Sequence, residues 1–484
     1  MNKLLFINIL IKLTSFIKSI SFDLHTTKSK QNFRNLDSTI FGGSHTLYYY
    51  YANLYLGKKG IKQSYILDTG SSITTSPCEL CKECGKHKNK YFKINNENII
   101  KCNSDKCNMV KNNCNNDLCS FQIYYAEGSS LKGIYINEIV RFGDNFNNTN
   151  YYFIPIGCTT KETHLFKTQL ADGIMGLSNS NINFVSLLKD NGIIKNNIFS
   201  LCLAQNGGYF SIDEIQYKYH LSSKINYFKI PNSEFYDLEI SNITILNEVI
   251  TVNTKAIIDS GTTYTYFPSF YGNKITNKIN EICNNEKNKN KCGKYKELSN
   301  YGSCYSFNNK KEIIYALDNI FPNITFIING NIKYIWRPYD YYFNISNTIC
   351  LGFTEMGNRF ILGSTWMRGH DIIFNRENFT IGFVEADCNK GINYNIKDLD
   401  DKINEDNCYG ICIRNFGLLY FFLFILGILF IISIIFIISI NKLRKGKKFL
   451  FFQVEDNQLK IISNENIEMN IQKKIGDKYN LLPE

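Results

Sequence analysis

The stretch YILDTGSS, residues 65–72, runs an apolar strand straight into an aspartate, a glycine and a set of hydroxyls. The chain repeats that grammar as AIIDSGTT at 256–263. Each run predicts a strand that ends in a turn carrying a carboxylate. Two carboxylates close enough to share one proton cannot both ionise cheaply, so one stays protonated while the other serves as a base. Such a pair titrates as a unit. Held on facing turns, Asp68 and Asp259 can bind a water between them, take its proton as it attacks a peptide carbonyl, and protonate the leaving amine. The scheme needs no metal, no cofactor and no nucleophilic side chain.

The neighbouring residues fit the same chemistry. Gly70 and Gly261 are expected to let the backbone turn tightly and bring N–H groups near the carboxylates. Ser71 and Thr262, three positions after each aspartate, are placed to donate to the outer carboxylate oxygens, which favours the ionised form. Thr69 and Ser260 are expected to link the two turns into a rigid platform.

Each half also carries an apolar segment ending in glycine. Gly176 of DGIMGL follows Asp68 by 108 positions, and Gly363 of FILGS follows Asp259 by 104. That spacing predicts duplicated lobes rather than a short-period repeat. Most of the remaining pattern is strand: TLYYYYANLYLG, SFQIYYAEGSS, YYFIPIG, EISNITIL and ITFIINGNIKYIW are short aromatic and β-branched runs bounded by Gly or Asn. Helices are predicted over residues 184–189 and 273–283. Two polar, cysteine-bearing insertions, 78–119 and 283–304, have too little apolar content to build a core and should depend on cross-links. The expected fold is mostly β and bilobal, with an active-site cleft between the lobes.

The 484 residues, 44% hydrophobic and 20% charged, describe a globular chain with large cores. Residues 1–21 combine a basic start with an apolar run and read as a secretory signal, with an uncleaved anchor as the alternative. Residues 416–440 contain no charge, and ~25 residues at ~1.5 Å each span a ~30 Å hydrocarbon core with tilt to spare, so a transmembrane helix is expected. Lys442, Arg444, Lys445, Lys447 and Lys448 follow it and place residues 441–484 in the cytoplasm. All sixteen cysteines precede the apolar run, as do sequons at Asn147, Asn242, Asn323, Asn344 and Asn378. That side is therefore expected to be lumenal and disulfide-bonded. The expected order is signal 1–21, a short pro-segment 22–46, an N-terminal lobe 47–225, a C-terminal lobe 226–386 and a stalk 387–415. Part of the +11 net charge sits in the juxtamembrane cluster. No nucleic-acid module is visible, and no HExxH pair, G-x-S-x-G elbow or P-loop offers another chemistry.

DTGSS, DSGTT, DGIMGL and FILGS, in this order, resemble the pepsin-like aspartyl proteases. The resemblance runs from about residue 47 to 387 and takes in FSLCLAQNGG, FPNITFIING and IIFNRENFTIGF. It implies that Asp68 and Asp259 are the catalytic pair, and that Tyr125 of IYYAEGSS belongs to the flap that closes over the peptide. Two departures stand out. Thr75 occupies the position where the family often has a tryptophan, seven after the first aspartate. Ala126 and Glu127 precede Gly128 where many relatives read Tyr-Gly-x-Gly.

The signal, the cysteine-rich insertion after the first active loop and the C-terminal anchor together resemble the plasmepsin V branch of membrane-anchored apicomplexan proteases. That branch has a cysteine where this chain has Ala126, so the local disulfide pattern must differ. In it the flap acid faces a basic substrate residue. Glu127 then implies cleavage after a short motif containing Arg and an apolar residue, during export through the endoplasmic reticulum or Golgi; a solvent-exposed hairpin acid is the other reading. The expected partners are secretory peptide or protein substrates, met by a monomer. Cys78, Cys81, Cys84 and His87 have spacings that suit zinc, yet the compartment and the further cysteines favour disulfides over a metal. His45, His164, His220 and His370 are left as surface or packing residues. A surface sheddase like the memapsins and a non-catalytic pepsin-like binding protein are the competing functions.

Overall fold

Short β-branched runs punctuated by turn residues build sheets, and here they build three in the main body. The computed structural model describes residues 36–43, 49–110, 113–143, 151–298, 301–391, 450–455 and 458–463. The signal 1–21, the run 416–440 and most of the stalk lie outside these residues. Among the described residues, no helix is long and apolar enough to cross a membrane.

The largest sheet has fourteen strands. Its central members are Tyr49–Leu56, Ile61–Asp68 and Gly173–Gly176. The strand Ile198–Leu203 of the first half pairs antiparallel with His370–Asn375 of the second, so one sheet carries both halves. A seven-stranded sheet is built around Asp237–Ile245 and Glu248–Ile258, and a four-stranded sheet includes Gly302–Ser306 and Thr348–Leu351. In the seven-stranded sheet, Ile324–Ile328 alternates buried and half-buried residues, as a strand covered on one face should. Tyr49–Leu56 is buried along nearly its whole length, because its sheet is covered on both faces. The two expected helices form as Phe184–Asp190 and Ser269–Asn284, the first capped by Asn183, whose side chain accepts from Ser186 N–H at 2.7 Å.

The described residues of two segments expected to flank the lobes join the body. Within the segment 22–46 read as a pro-segment, Leu36–Gly43 is a strand paired with Gly208–Ile212, and Ile40 is fully buried. At the other end, Cys202–Cys388 ties the start of the expected stalk into the body, and Asp387 N–H donates to Tyr219 O at 2.9 Å. Apolar burial and a disulfide hold both segments to the core.

Seven disulfides pair the fourteen cysteines among the described residues. In the first insertion, Cys78 bonds Cys158, Cys81 bonds Cys84, Cys102 bonds Cys114 and Cys107 bonds Cys119. The insertion is not held by cross-links alone, because Ile100, Cys107 and Val110 pack with Phe121 and Tyr135 in a small satellite core. Asp172 docks its middle: the carboxylate accepts from Ser64 N–H and from the backbone and side chain of Asn89, each at 2.6–2.7 Å. Outside the main body, Leu450–Glu455 pairs antiparallel with Gln458–Ser463.

Candidate active site

Both aspartates sit where an apolar strand runs out beside a parallel neighbour. Ile61–Asp68 pairs parallel with Gly173–Gly176, placing Asp68 opposite Gly176. Ile257 and Ile258 pair parallel with Ile361 and Leu362, and Asp259 N–H donates to Leu362 O at 3.0 Å. The internal repeat is thus a structural one. Ser178 N–H donates to Ser71 O at 2.9 Å, and Ser364 N–H donates to Thr262 O at 2.8 Å.

The expected support bonds are present. Ser71 Oγ donates to Asp68 Oδ2, and Thr262 Oγ1 donates to Asp259 Oδ2 at 2.6 Å. Gly70 N–H reaches Asp68 Oδ1 at 2.8 Å, and Gly261 N–H reaches Asp259 Oδ1 at 2.9 Å. Thr69 Oγ1 donates to Ile258 O at 2.9 Å, and Ser260 Oγ donates to Leu67 O at 2.7 Å, each crossing to the other half.

The glycines bring their N–H groups to the carboxylates as expected, and they have a second role. Neither Gly70 nor Gly261 adopts a positive φ. A Cβ on Gly70 would lie 2.7 Å from Asp259 Oδ1, and one on Gly261 would lie 2.7 Å from Asp68 Cγ. Each glycine leaves room for the carboxylate of the opposite half.

Asp68 is 4% exposed and has the carboxyl of Asp259 as its charged neighbour. Burial, then the nearby charge of Asp259, raise its carboxyl well above the ordinary range, against the pull of Ser71 and the Gly70 N–H. One proton is therefore held tightly within the pair.

The segment read as the flap is a hairpin of Leu118–Tyr124 and Ser130–Phe142. Its tip turns through Gly128 at φ +97°, with Gly128 N–H donating to Tyr125 O at 3.0 Å. Tyr125 lies close enough to Asp68 and Asp259 for their charges to oppose its ionisation, although burial is the larger cause of its raised pKa. Glu127 is exposed and accepts from Ser129 Oγ. Thr75 lies inside a short strand, with its hydroxyl hydrogen-bonded to Thr159 Oγ1 at 2.7 Å. The ring of Phe166 packs on Tyr125 at 4.9 Å. Sequence reasoning missed Phe166, whose HLFK context carries no distinguishing pattern.

The four residues whose spacing suits zinc are otherwise engaged, Cys78, Cys81 and Cys84 in disulfides and His87 against Glu162 at 2.9 Å. His220 pairs with Asp371 at 2.9 Å, His370 stacks on Tyr334 at 4.2 Å, and His164 is exposed. His45 lies outside the described residues.

The family model for eukaryotic aspartyl protease matches residues 49–386, from the first central strand to the end of the second half. The chain belongs to the eukaryotic aspartyl protease family. Among its relatives in that family, plasmepsin V of Plasmodium falciparum is 26% identical over 432 residues, covering 72% of this chain and 73% of that protein. Aspartic proteinase 39 of Arabidopsis thaliana is 23% identical over 377 residues, covering 71% and 75%. Aspartic protease 5 of Toxoplasma gondii is 28% identical over 198 residues, covering 36% of this chain and 20% of its own length. For an aspartyl protease, the relevant feature of the site is its pairing of a buried, proton-holding carboxyl with a second carboxyl from the other half.

Proposed function

We propose that this aspartyl protease is a membrane-anchored endopeptidase in which Asp68 and Asp259 together activate water. The observation that carries the reading is the pair itself: each carboxylate has an outer hydroxyl donor, and each lies beside the glycine of the opposite half. Asp68 enters as the protonated member and polarises the scissile carbonyl, while Asp259 takes the proton of the attacking water. The proton on Asp68 then compensates the oxyanion, and the amine leaves with the proton that Asp259 gained. Tyr125 and the flap cover an extended peptide that pairs with the flap edge.

Glu127, exposed at the flap tip, is the acid available to a basic substrate residue, and an Arg-containing motif follows from it. A bound peptide that covers the carboxylate strengthens such a pair, because an unmatched buried charge is costly. The seven disulfides among the described residues and the signal-like start support a lumenal body in the endoplasmic reticulum or Golgi, anchored through residues 416–440.

The test is a peptide-library cleavage assay of the full chain in detergent from acid to neutral pH, with Asp259→Ala as control. The expected result is cleavage that disappears in Asp259→Ala and falls when the substrate Arg becomes Ala. Equal rates for both peptides remove the role of Glu127. A wild type that cleaves no peptide at any pH sinks the endopeptidase reading.

A further inference from the structure

Residues 163–170 form a short turn lying between the flap and the cysteine-rich insertion. On the flap side, Thr163 Oγ1 accepts from Ser130 N–H at 2.7 Å, Thr163 N–H donates to Ser130 O at 3.1 Å, and Phe166 packs on Tyr125. Ser130 is the partner of Tyr124 at the top of the hairpin, so the turn holds the flap just below its tip. On the insertion side, Lys88 N–H donates to Leu170 O at 2.8 Å. Gly85 lies so close to the turn that a Cβ there would be 2.7 Å from Lys167 Cα.

His87 and Glu162 join these two sides. Glu162 immediately precedes the turn, and its Oε2 accepts from Gly85 N–H and from His87 Nε2, each at 2.9 Å. His87 Nδ1 lies 3.1 Å from the carbonyl of Gln169. The two side chains are 0% and 2% exposed. Both partners of the imidazole are acceptors, so only the doubly protonated ring satisfies both.

We propose that the cysteine-rich insertion buttresses the flap, with His87 and Glu162 as the positioning pair that holds the 163–170 turn and, through it, Phe166 and Tyr125. This rests on the endopeptidase reading only for its effect on turnover. Burial opposes charge on His87, but the Glu162 carboxylate and the Gln169 carbonyl outweigh it and hold the ring protonated above its ordinary range. Asp172 adds a favourable field from the adjoining strand, and the Tyr91 ring lies 6.3 Å away. Further out, Lys161 pairs with Glu83 at 2.8 Å, with Lys167 nearby, and Lys88 is bonded to Tyr51. As pH rises through the titration of His87, the ring loses one donor and either Glu162 or Gln169 loses its partner. The flap then loosens.

The test is hydrogen exchange of the flap amides, residues 120–131, in the full chain in detergent, without substrate, at pH values below and above the His87 titration. The wild-type flap should exchange about tenfold faster on the alkaline side after correction for intrinsic rates, and His87→Gln and Glu162→Gln should exchange at that faster rate throughout. In the cleavage assay the same variants should lose about tenfold in kcat with little change in KM, and should lack the alkaline limb of the wild-type profile. Thr163→Val removes the hydroxyl bonds between the turn and Ser130 while leaving the insertion intact, and should raise flap exchange even if the His87 variants fail to fold. Unchanged exchange in Thr163→Val and in every His87 or Glu162 variant that folds, across the whole pH range, overturns the proposal. The exchange arm needs no turnover, so failure of the endopeptidase reading is seen separately, as a wild type with a buttressed flap and no cleavage.

Discussion

Thr69 and Ser260, 191 positions apart, bond each other's backbones: Thr69 N–H donates to Ser260 Oγ at 3.0 Å and Ser260 N–H donates to Thr69 Oγ1 at 2.9 Å. With the onward bonds to Ile258 O and Leu67 O, they lock the two aspartate turns together in the interior, where neither side chain is more than 1% exposed. Separating the turns would strand several buried polar groups at once, so the spacing of the carboxylates is stiff.

Ser260→Ala removes two of these bonds and leaves Thr69 N–H and Leu67 O unpaired. The expected loss is about 2–4 kcal/mol of stability. Thr69→Ser keeps its hydroxyl and should stay within about 1 kcal/mol of wild type, apart from its lost methyl packing. Urea unfolding of both variants decides this, and equal midpoints would show that the platform is not what holds the halves.

Gly261→Ala places a methyl against the Asp68 carboxyl, and Gly70→Ala places one against Asp259. Neither backbone is in the left-handed region, so the fold should tolerate both changes while the carboxylates are pushed out of register. Cleavage should drop by about a hundredfold or more, with near-wild-type circular dichroism. Retained activity in either variant would mean that the two carboxylates need not lie as close as they do here.

Two buried groups give opposite pH trends in stability. Burial lowers the pKa of His370 from 6.5 to about 4, so it is neutral in the folded state while the unfolded chain binds a proton below pH 6.5. Its contribution is fully present above pH 6.5 and is lost as pH falls toward about 4, by up to ~3 kcal/mol. His370→Phe should remove that loss and keep the stacking on Tyr334. Asp68 behaves the other way: its raised pKa makes stability fall as pH rises above the ordinary carboxylate value, so Asp68→Asn should gain over wild type toward neutral pH. Melting temperatures measured from acid to neutral pH test both signs.

Loop length should rank the disulfides. Cys202–Cys388 closes 186 positions and Cys81–Cys84 closes three. Chain entropy assigns ~5 kcal/mol to the first and ~2 kcal/mol to the second. Replacing both cysteines of each pair by serine and comparing unfolding midpoints gives the ranking, and a larger loss from the short pair would reverse it.

The local grammar of the site was legible because its chemistry is local. An apolar strand, an aspartate and a hydroxyl three positions later are near neighbours in the chain, and Ser71 and Thr262 reach their carboxylates within one turn. The repeat of that grammar was enough to imply two facing carboxylates and a mostly β fold. The second role of the glycines was not legible, because the atoms that exclude a side chain at Gly70 and Gly261 belong to the distant half.

The same limit explains Phe166, His87 and the membership of Leu36–Gly43 in the sheet. Nothing within a few residues of His87 names Glu162, 75 positions away, or Gln169, 82 positions away, as its partners. Sequence periodicity reports which residues want burial and which turns are favourable. Which buried groups meet is settled by how the sheets close, since desolvation and hydrogen bonding act between atoms that only packing brings within reach.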